Sequence, residues 1–137
     1  MNAQGNRVAV QNSREKIVKA LIIAAHGSRK KESNLEVASL AKRLSHKTKG
    51  LFEIVEHAFL QFAEPLIEEK IDELVQKGAK KIVIFPFFIA SGSHILVDIP
   101  DLIKKVQITH GNVEFTITRH LGKIEAIDNI IIQEVMA

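Results

Sequence analysis

The chain has 137 residues, 46% apolar and 26% charged, which is the size and mix of one globular domain with a real core and excludes wholesale disorder. It has no cysteine, which excludes a disulfide scaffold, a thiolate metal site and a cysteine nucleophile, and leaves any metal to nitrogen and oxygen ligands. The formal charge is only +3, Trp and Tyr are absent, and no apolar run reaches membrane-spanning length; these speak against nucleic acid and against a membrane, and suit a small acidic ligand.

Residues 1–16 are polar and read as a flexible N-terminal extension without a secretory h-region, ahead of a single domain over 17–137 in a cytoplasmic protein. A first strand is expected over 19–25 (KALIIAA), apolar on both faces as a covered parallel strand must be. Ser33-Asn34-Leu35-Glu36 reads as a capping box opening a helix on which Leu35, Ala38, Leu40, Ala41 and Leu44 recur at helical spacing, with Gly50 after it. Charges interrupt the second strand, 52–60 (FEIVEHAFL), which fits a sheet edge. Pro65 suits the first position of a second helix with apolar Leu66, Ile67, Ile71, Leu74 and Val75, capped by Gly78. The third strand, 81–89 (KIVIFPFFI), is the most apolar and is expected at the centre, its ladder loosened at Pro86. A loop of small residues runs from Ala90 through Ser91, Gly92 and Ser93 to His94. Asp98 and Pro100 then flag a short third helix ending near Val106. A fourth strand, 113–118, and a fourth helix, 125–135, complete the chain. Strictly alternating units predict an α/β fold of three layers: a four-stranded parallel sheet of order 2-1-3-4 with helices on both faces.

Ligands of such sheets bind beyond the carboxyl ends of the strands. The residues there are His26, Gly27, Ser28 and Arg29 after strand one, and Gln61 and Glu64 after strand two. Ser91, Ser93 and His94 follow strand three, and Arg119, His120, Leu121 and Gly122 follow strand four. Three of six histidines thus fall on one edge, and in a 2-1-3-4 sheet His26 and His94 flank the switch point, where two neutral imidazoles can share a first-row divalent ion. His46 near a helix end, His57 on the edge strand and His110 beside Gly111 have plain structural readings. Arg29, Lys30 and Lys31 are either a solvated loop or a rim for ligand carboxylates. The chain lacks GxxxxGK[ST], GxGxxG and GxSxG, and Ala25 stands where a phosphohistidine-type phosphatase wants Arg before His-Gly.

Four stretches, LIIAAHGSR (21–29), AFLQFAEPLIEE (58–69), IVIFPFFIASGSHILVDIP (82–100) and HLG (120–122), occur in this order. Together they resemble the short, single-domain branch of the CbiX/SirB family of class II tetrapyrrole chelatases, which insert cobalt, iron or nickel into sirohydrochlorin-type rings. The resemblance implies that His26 and His94 bind the metal and assist its insertion. It places Gln61 where members commonly carry a glutamate, and Leu96 where many carry a basic residue. A neutral amide neither attracts a cation nor takes a proton as a carboxylate does. The helix-starting Glu64 is read as a cap. The ring contacts implied are Ser28, Arg29, Ser91, Gly92, Ser93 and Arg119, with Lys30, Lys31 and Lys123 nearby and Phe87 and Phe88 in the core. The metal is substrate, Co²⁺ foremost with Fe²⁺ or Ni²⁺ as alternatives, in cobalamin or sirohaem synthesis, and no organic cofactor is expected. Longer members hold two such domains round one cleft, so a homodimer is expected. The departures at Gln61 and Leu96 keep a second reading open: a metal- or tetrapyrrole-binding protein with weakened chelatase activity.

Overall fold

The computed structural model describes residues 17–90 and 93–137, residues 93–96 through their backbone alone; the expected extension over 1–16 lies outside the described residues. Strand β1 (Val18–Ala25) is central and buries Ala20, Ile22, Ile23, Ala24 and Ala25. It pairs in parallel with β2 (Ile54–Phe59) on one side and β3 (Ala79–Pro86) on the other. Strand β4 (Glu114–Ile117) pairs with β3, giving the order β2-β1-β3-β4, as the alternating pattern predicts.

Successive side chains of β1 divide the core in two. Ile23 and Ala25 pack with Val37 and Ala41 of helix α1 (Lys31–Lys47) and with Val55 and Phe59 of β2. Ile22 and Ala24 face Ile67, Ile71 and Leu74 of α2 (Ile67–Gln76), and Ile99, Ile103 and Val106 of α3 (Ser93–Thr109). Burying each large aliphatic side chain contributes roughly 1.5–3 kcal/mol, and the strand alternation distributes this between α1 on one face and α2 with α3 on the other. A 3₁₀ turn (Leu121–Lys123) leads into α4 (Ala126–Val135), in which no side chain is buried.

Helix boundaries differ from expectation for identifiable reasons. Helix α1 starts at Lys31, so Ser33 and Glu36 lie inside it and do not form the expected box. Asn34 instead turns back to Ser28, its Oδ1 accepting from the Ser28 N–H at 3.0 Å and its Nδ2 donating to the Ser28 carbonyl at 2.7 Å. Helix α2 starts two residues beyond Pro65, where Glu69 Oε1 accepts from the Leu66 N–H at 2.9 Å; Glu69, not Glu64, closes that end. Helix α3 is longer than expected. It begins at Ser93, takes Ser93 and His94 out of the anticipated loop, and carries Pro100 in its interior. The buried stripe Ile99, Ile103 and Val106 offsets the lost backbone bond there. Gly78 does cap α2, at φ +97° with its N–H on the Val75 carbonyl at 3.0 Å. The charges in β2 are explained by Lys70, a buried lysine of α2 whose Nζ lies 3.5 Å from Glu56 and 3.0 Å from Glu73.

Candidate functional site at the carboxyl edge of the sheet

The β1–β2 ladder does not stop at the strand ends. Leu60 N–H donates to the Ala25 carbonyl and Gln61 N–H to the His26 carbonyl, both at 3.0 Å. Parallel register therefore delivers His26 and Gln61 side by side. The next residue must be glycine: Gly27 has φ +97°, and a Cβ there would overlap the Gln61 carbonyl oxygen.

Between the two side chains, Gln61 Nε2 stands 3.1 Å from His26 Nε2, while His26 Nδ1 stands 3.2 Å from the Gly27 carbonyl oxygen. A carbonyl can only accept, so the tautomer with its hydrogen on Nδ1 would satisfy that contact and present the Nε2 lone pair to the Gln61 amide. That lone pair is the group a divalent ion would use. Among the described residues no cluster of three His, Asp or Glu gathers to hold a metal.

Gln61 is followed by Phe62, which sequence reasoning did not single out. Phe62 has φ +68° and is half exposed. Its ring centroid lies 6.0 Å from that of His26, tilted by 42°, and the Arg29 guanidinium carbon sits 4.6 Å from its centre. Ser28, expected as a ring contact, has a local role here: its Oγ accepts from the Lys30 N–H at 3.0 Å and closes the turn into α1.

On the other side of β1, Ala24 pairs with Pro86, and Phe87 N–H donates to the Ala24 carbonyl at 2.8 Å. Phe88 is core, and Phe87 packs on the α1-side cluster. Ser91 and Gly92 lie outside the described residues, and Ser93 and His94 form the first turn of α3. The fold thus sets His94 at a helix start on the edge where His26 emerges. From β4, Arg119 is exposed and His120 precedes the 3₁₀ turn. Gly122 N–H donates to the Phe88 carbonyl at 2.9 Å, and a Cβ on Gly122 would overlap the Ile89 carbonyl oxygen. The glycine of His-Leu-Gly is there for close packing on the exit of β3.

The remaining histidines keep structural roles. His110 Nε2 is 2.8 Å from Asp72 and ties the end of α3 to α2. His57 is held below its ordinary 6.5, chiefly by burial and also by the charge of Lys70, against the opposing pull of Glu56. Glu64 is exposed at the mouth of a small cavity shared with Lys31 and His57. A cavity of about 660 Å³ lies along α1 between Ser28, Val37, Leu40, Arg43 and Phe87. His26 is not among the residues that line it.

Comparison with known proteins agrees with this fold. A family model described as CbiX matches residues 20–137. Sirohydrochlorin ferrochelatase, chloroplastic, of Arabidopsis thaliana is 39% identical over 102 residues, 74% of this chain and 44% of that protein. A sirohydrochlorin cobaltochelatase of Saccharolobus islandicus is 33% identical over 121 residues, 84% of this chain and 91% of that one. SirB from Bacillus subtilis with Fe³⁺ superposes with a TM-score of 0.74 at 26% identity, covering 85% of this chain and 46% of SirB. The first curated relatives are matched over only 44% to 64% of their own lengths.

Proposed function

The chain belongs to the CbiX family, and we propose that it inserts a divalent metal into a sirohydrochlorin-type tetrapyrrole. The observation that carries this reading is the His26 imidazole at the carboxyl end of β1, with Nδ1 3.2 Å from the Gly27 carbonyl oxygen and Nε2 3.1 Å from the Gln61 amide nitrogen. Relatives bearing chelatase names support it. His26 and His94 hold the incoming ion as nitrogen ligands, leaving coordination positions for the ring nitrogens. Insertion exchanges the ion for two pyrrole protons. When the ion leaves His26 Nε2, the freed lone pair can take one of them, and the other passes to solvent water. Gln61, a neutral amide, holds the imidazole and takes no proton. Arg29, Arg119 and Lys123 meet ring carboxylates, with Ser91, Gly92 and Ser93 as further ring contacts. Relatives named for cobalt and for iron support Co²⁺ and Fe²⁺ as metals; Ni²⁺ is the third candidate.

The same reading includes a homodimer. Ile130, Ile131, Ile132, Val135 and Met136 of the α4 end are all exposed, and a ten-residue helix has little stability in water without packing. The match to SirB covers less than half of that protein, which supports a second copy as the occupant.

A second reading, a metal or tetrapyrrole binder with weak turnover, is favoured by the Gln61 amide on the very lone pair the metal needs. Anaerobic incubation with sirohydrochlorin and Co²⁺, Fe²⁺ or Ni²⁺, followed by visible spectra, separates the two. A chelatase accelerates the spectral shift over the metal-only control, and His26→Ala and His94→Ala abolish the acceleration. Tight ring binding without acceleration selects the binder. Gln61→Glu, which restores a carboxylate, is expected to raise turnover.

A further inference from the structure

Residues 61 and 62 both reach the imidazole of His26, although neighbouring side chains of an extended chain point to opposite sides. The left-handed conformation of Phe62, φ +68°, makes this arrangement. An L side chain in that region crowds its own backbone and persists only where the surroundings impose it. Core packing is not the reason, because Phe62 is 50% exposed. Its described ring contacts are the His26 imidazole and the Arg29 guanidinium. Stacking on an aromatic face restrains a guanidinium while leaving its in-plane N–H donors free. Among the described residues, Arg29 has no carboxylate partner. The edge therefore presents, in order, an imidazole lone pair, a half-bare aromatic ring and an uncompensated guanidinium.

We propose that Phe62 and Arg29 form the platform that seats the ring substrate over His26: Phe62 against the macrocycle plane, and Arg29 against a carboxylate on its rim. This rests on the chelatase reading and adds to it a specificity-determining residue. A flat, apolar ligand with a negative rim and a nitrogen centre is the chemistry that all three groups match at once. A small anion would use Arg29 and ignore the ring, and a bare metal ion would use His26 and ignore both.

The test uses the full chain and two separate titrations: metal-free sirohydrochlorin followed by visible absorbance, and Co²⁺ alone followed by calorimetry. Phe62→Gly removes the ring while keeping a residue at ease with positive φ. It is expected to weaken sirohydrochlorin binding about tenfold, the scale of one aromatic or cation–π contact. Co²⁺ affinity should stay within about twofold and the thermal midpoint should not fall. In turnover, KM rises and kcat is little changed. Arg29→Ala, an exposed change that spares the fold, is expected to weaken ring binding to a similar degree. The double variant should lose less than the product of the two effects, since the groups act together. Ring binding within twofold of wild type in both single variants overturns the platform and leaves the chelatase reading intact. Equal loss of Co²⁺ and ring binding in Phe62→Gly also overturns it, because Phe62 would then act only through His26. Failure of the wild type itself to bind sirohydrochlorin overturns the chelatase reading and the platform with it.

Discussion

Three glycines separate two costs that one substitution usually mixes. Gly50 has φ +92° with open space where a Cβ would go, so Gly50→Ala measures backbone strain alone, about 1–2 kcal/mol. That is offset by ~0.4–1 kcal/mol from the stiffer unfolded chain. Gly122 needs no positive φ, but its Cβ would strike the Ile89 carbonyl oxygen; Gly122→Ala measures overlap, roughly 1–3 kcal/mol for a forced local shift. Gly27 has both, φ +97° and overlap with the Gln61 carbonyl. Relief would require the 60–62 segment to move away and would break the Gln61 N–H bond to the His26 carbonyl. Gly27→Ala is therefore expected to be the most destabilising of the three, by roughly 2–4 kcal/mol, near the sum of the other two. Urea unfolding of each variant gives the comparison, with Co²⁺ titration reporting whether His26 is displaced. A Gly27→Ala variant no less stable than Gly50→Ala would refute the reasoning, because the chain would then have absorbed the overlap at no cost.

Other consequences are open to direct measurement. Lys70→Met should cost only about 1 kcal/mol in a denaturant titration, because the side chains it leaves behind, Glu56 and Glu73, are 31% and 45% exposed and remain hydrated; a loss above ~3 kcal/mol would mean their charges are effectively buried. His57 is held below 6.5 when folded, so its contribution is complete above that value and is lost as pH falls from 6.5 toward the depressed folded pKa. Urea midpoints of the wild type should accordingly drop over that interval, and His57→Gln should remove that part of the slope. Ile131→Asp and Ile132→Asp, placed on exposed α4, should leave the unfolding midpoint of the isolated chain nearly unchanged while converting a dimer to monomer by sedimentation velocity. A wild type that sediments as a monomer at micromolar concentration would exclude the second copy.

Strand identity and order were legible because β1 and β3 are apolar on both faces and the units alternate, so burial and connectivity agree. Helix starts were less so. Asp98 and Pro100 carry a helix-opening signal that the stripe Ile99, Ile103 and Val106 overrides, and Ser33 carries a cap signal that Asn34 pre-empts by bonding to Ser28. Within the site, His26 and Gln61 were legible from their positions after strands, but their 3.1 Å contact depends on ladder bonds running past the strand ends. Phe62 was not singled out. Its place depends on a left-handed backbone, and a lone phenylalanine between Gln61 and Ala63 carries no periodicity that would reveal one. Lys70 was missed for a similar reason: burial of a lysine depends on Glu56 arriving from another element.

The two sequence signatures His-Gly-Ser and His-Leu-Gly therefore divide differently from their appearance. In the first, the histidine is the proposed metal ligand and the glycine lets β2 pass against it, so on that reading one letter carries chemistry and the next carries clearance. In the second, Gly122 pins the β4 exit to the β3 exit through Phe88 and Ile89, and the exposed Arg119 is thereby carried to the same edge. Sheet hydrogen bonds, not loop packing, thus set the position of His26, Gln61 and the chain leading to Arg119. Sites built on such extended ladders are held more closely than sites on free loops. On the proposed chelatase reading, which needs one ion held above the centre of a flat ring, lateral precision at His26 matters more than enclosure. A sheet edge whose ladder fixes His26 and Gln61 meets that need.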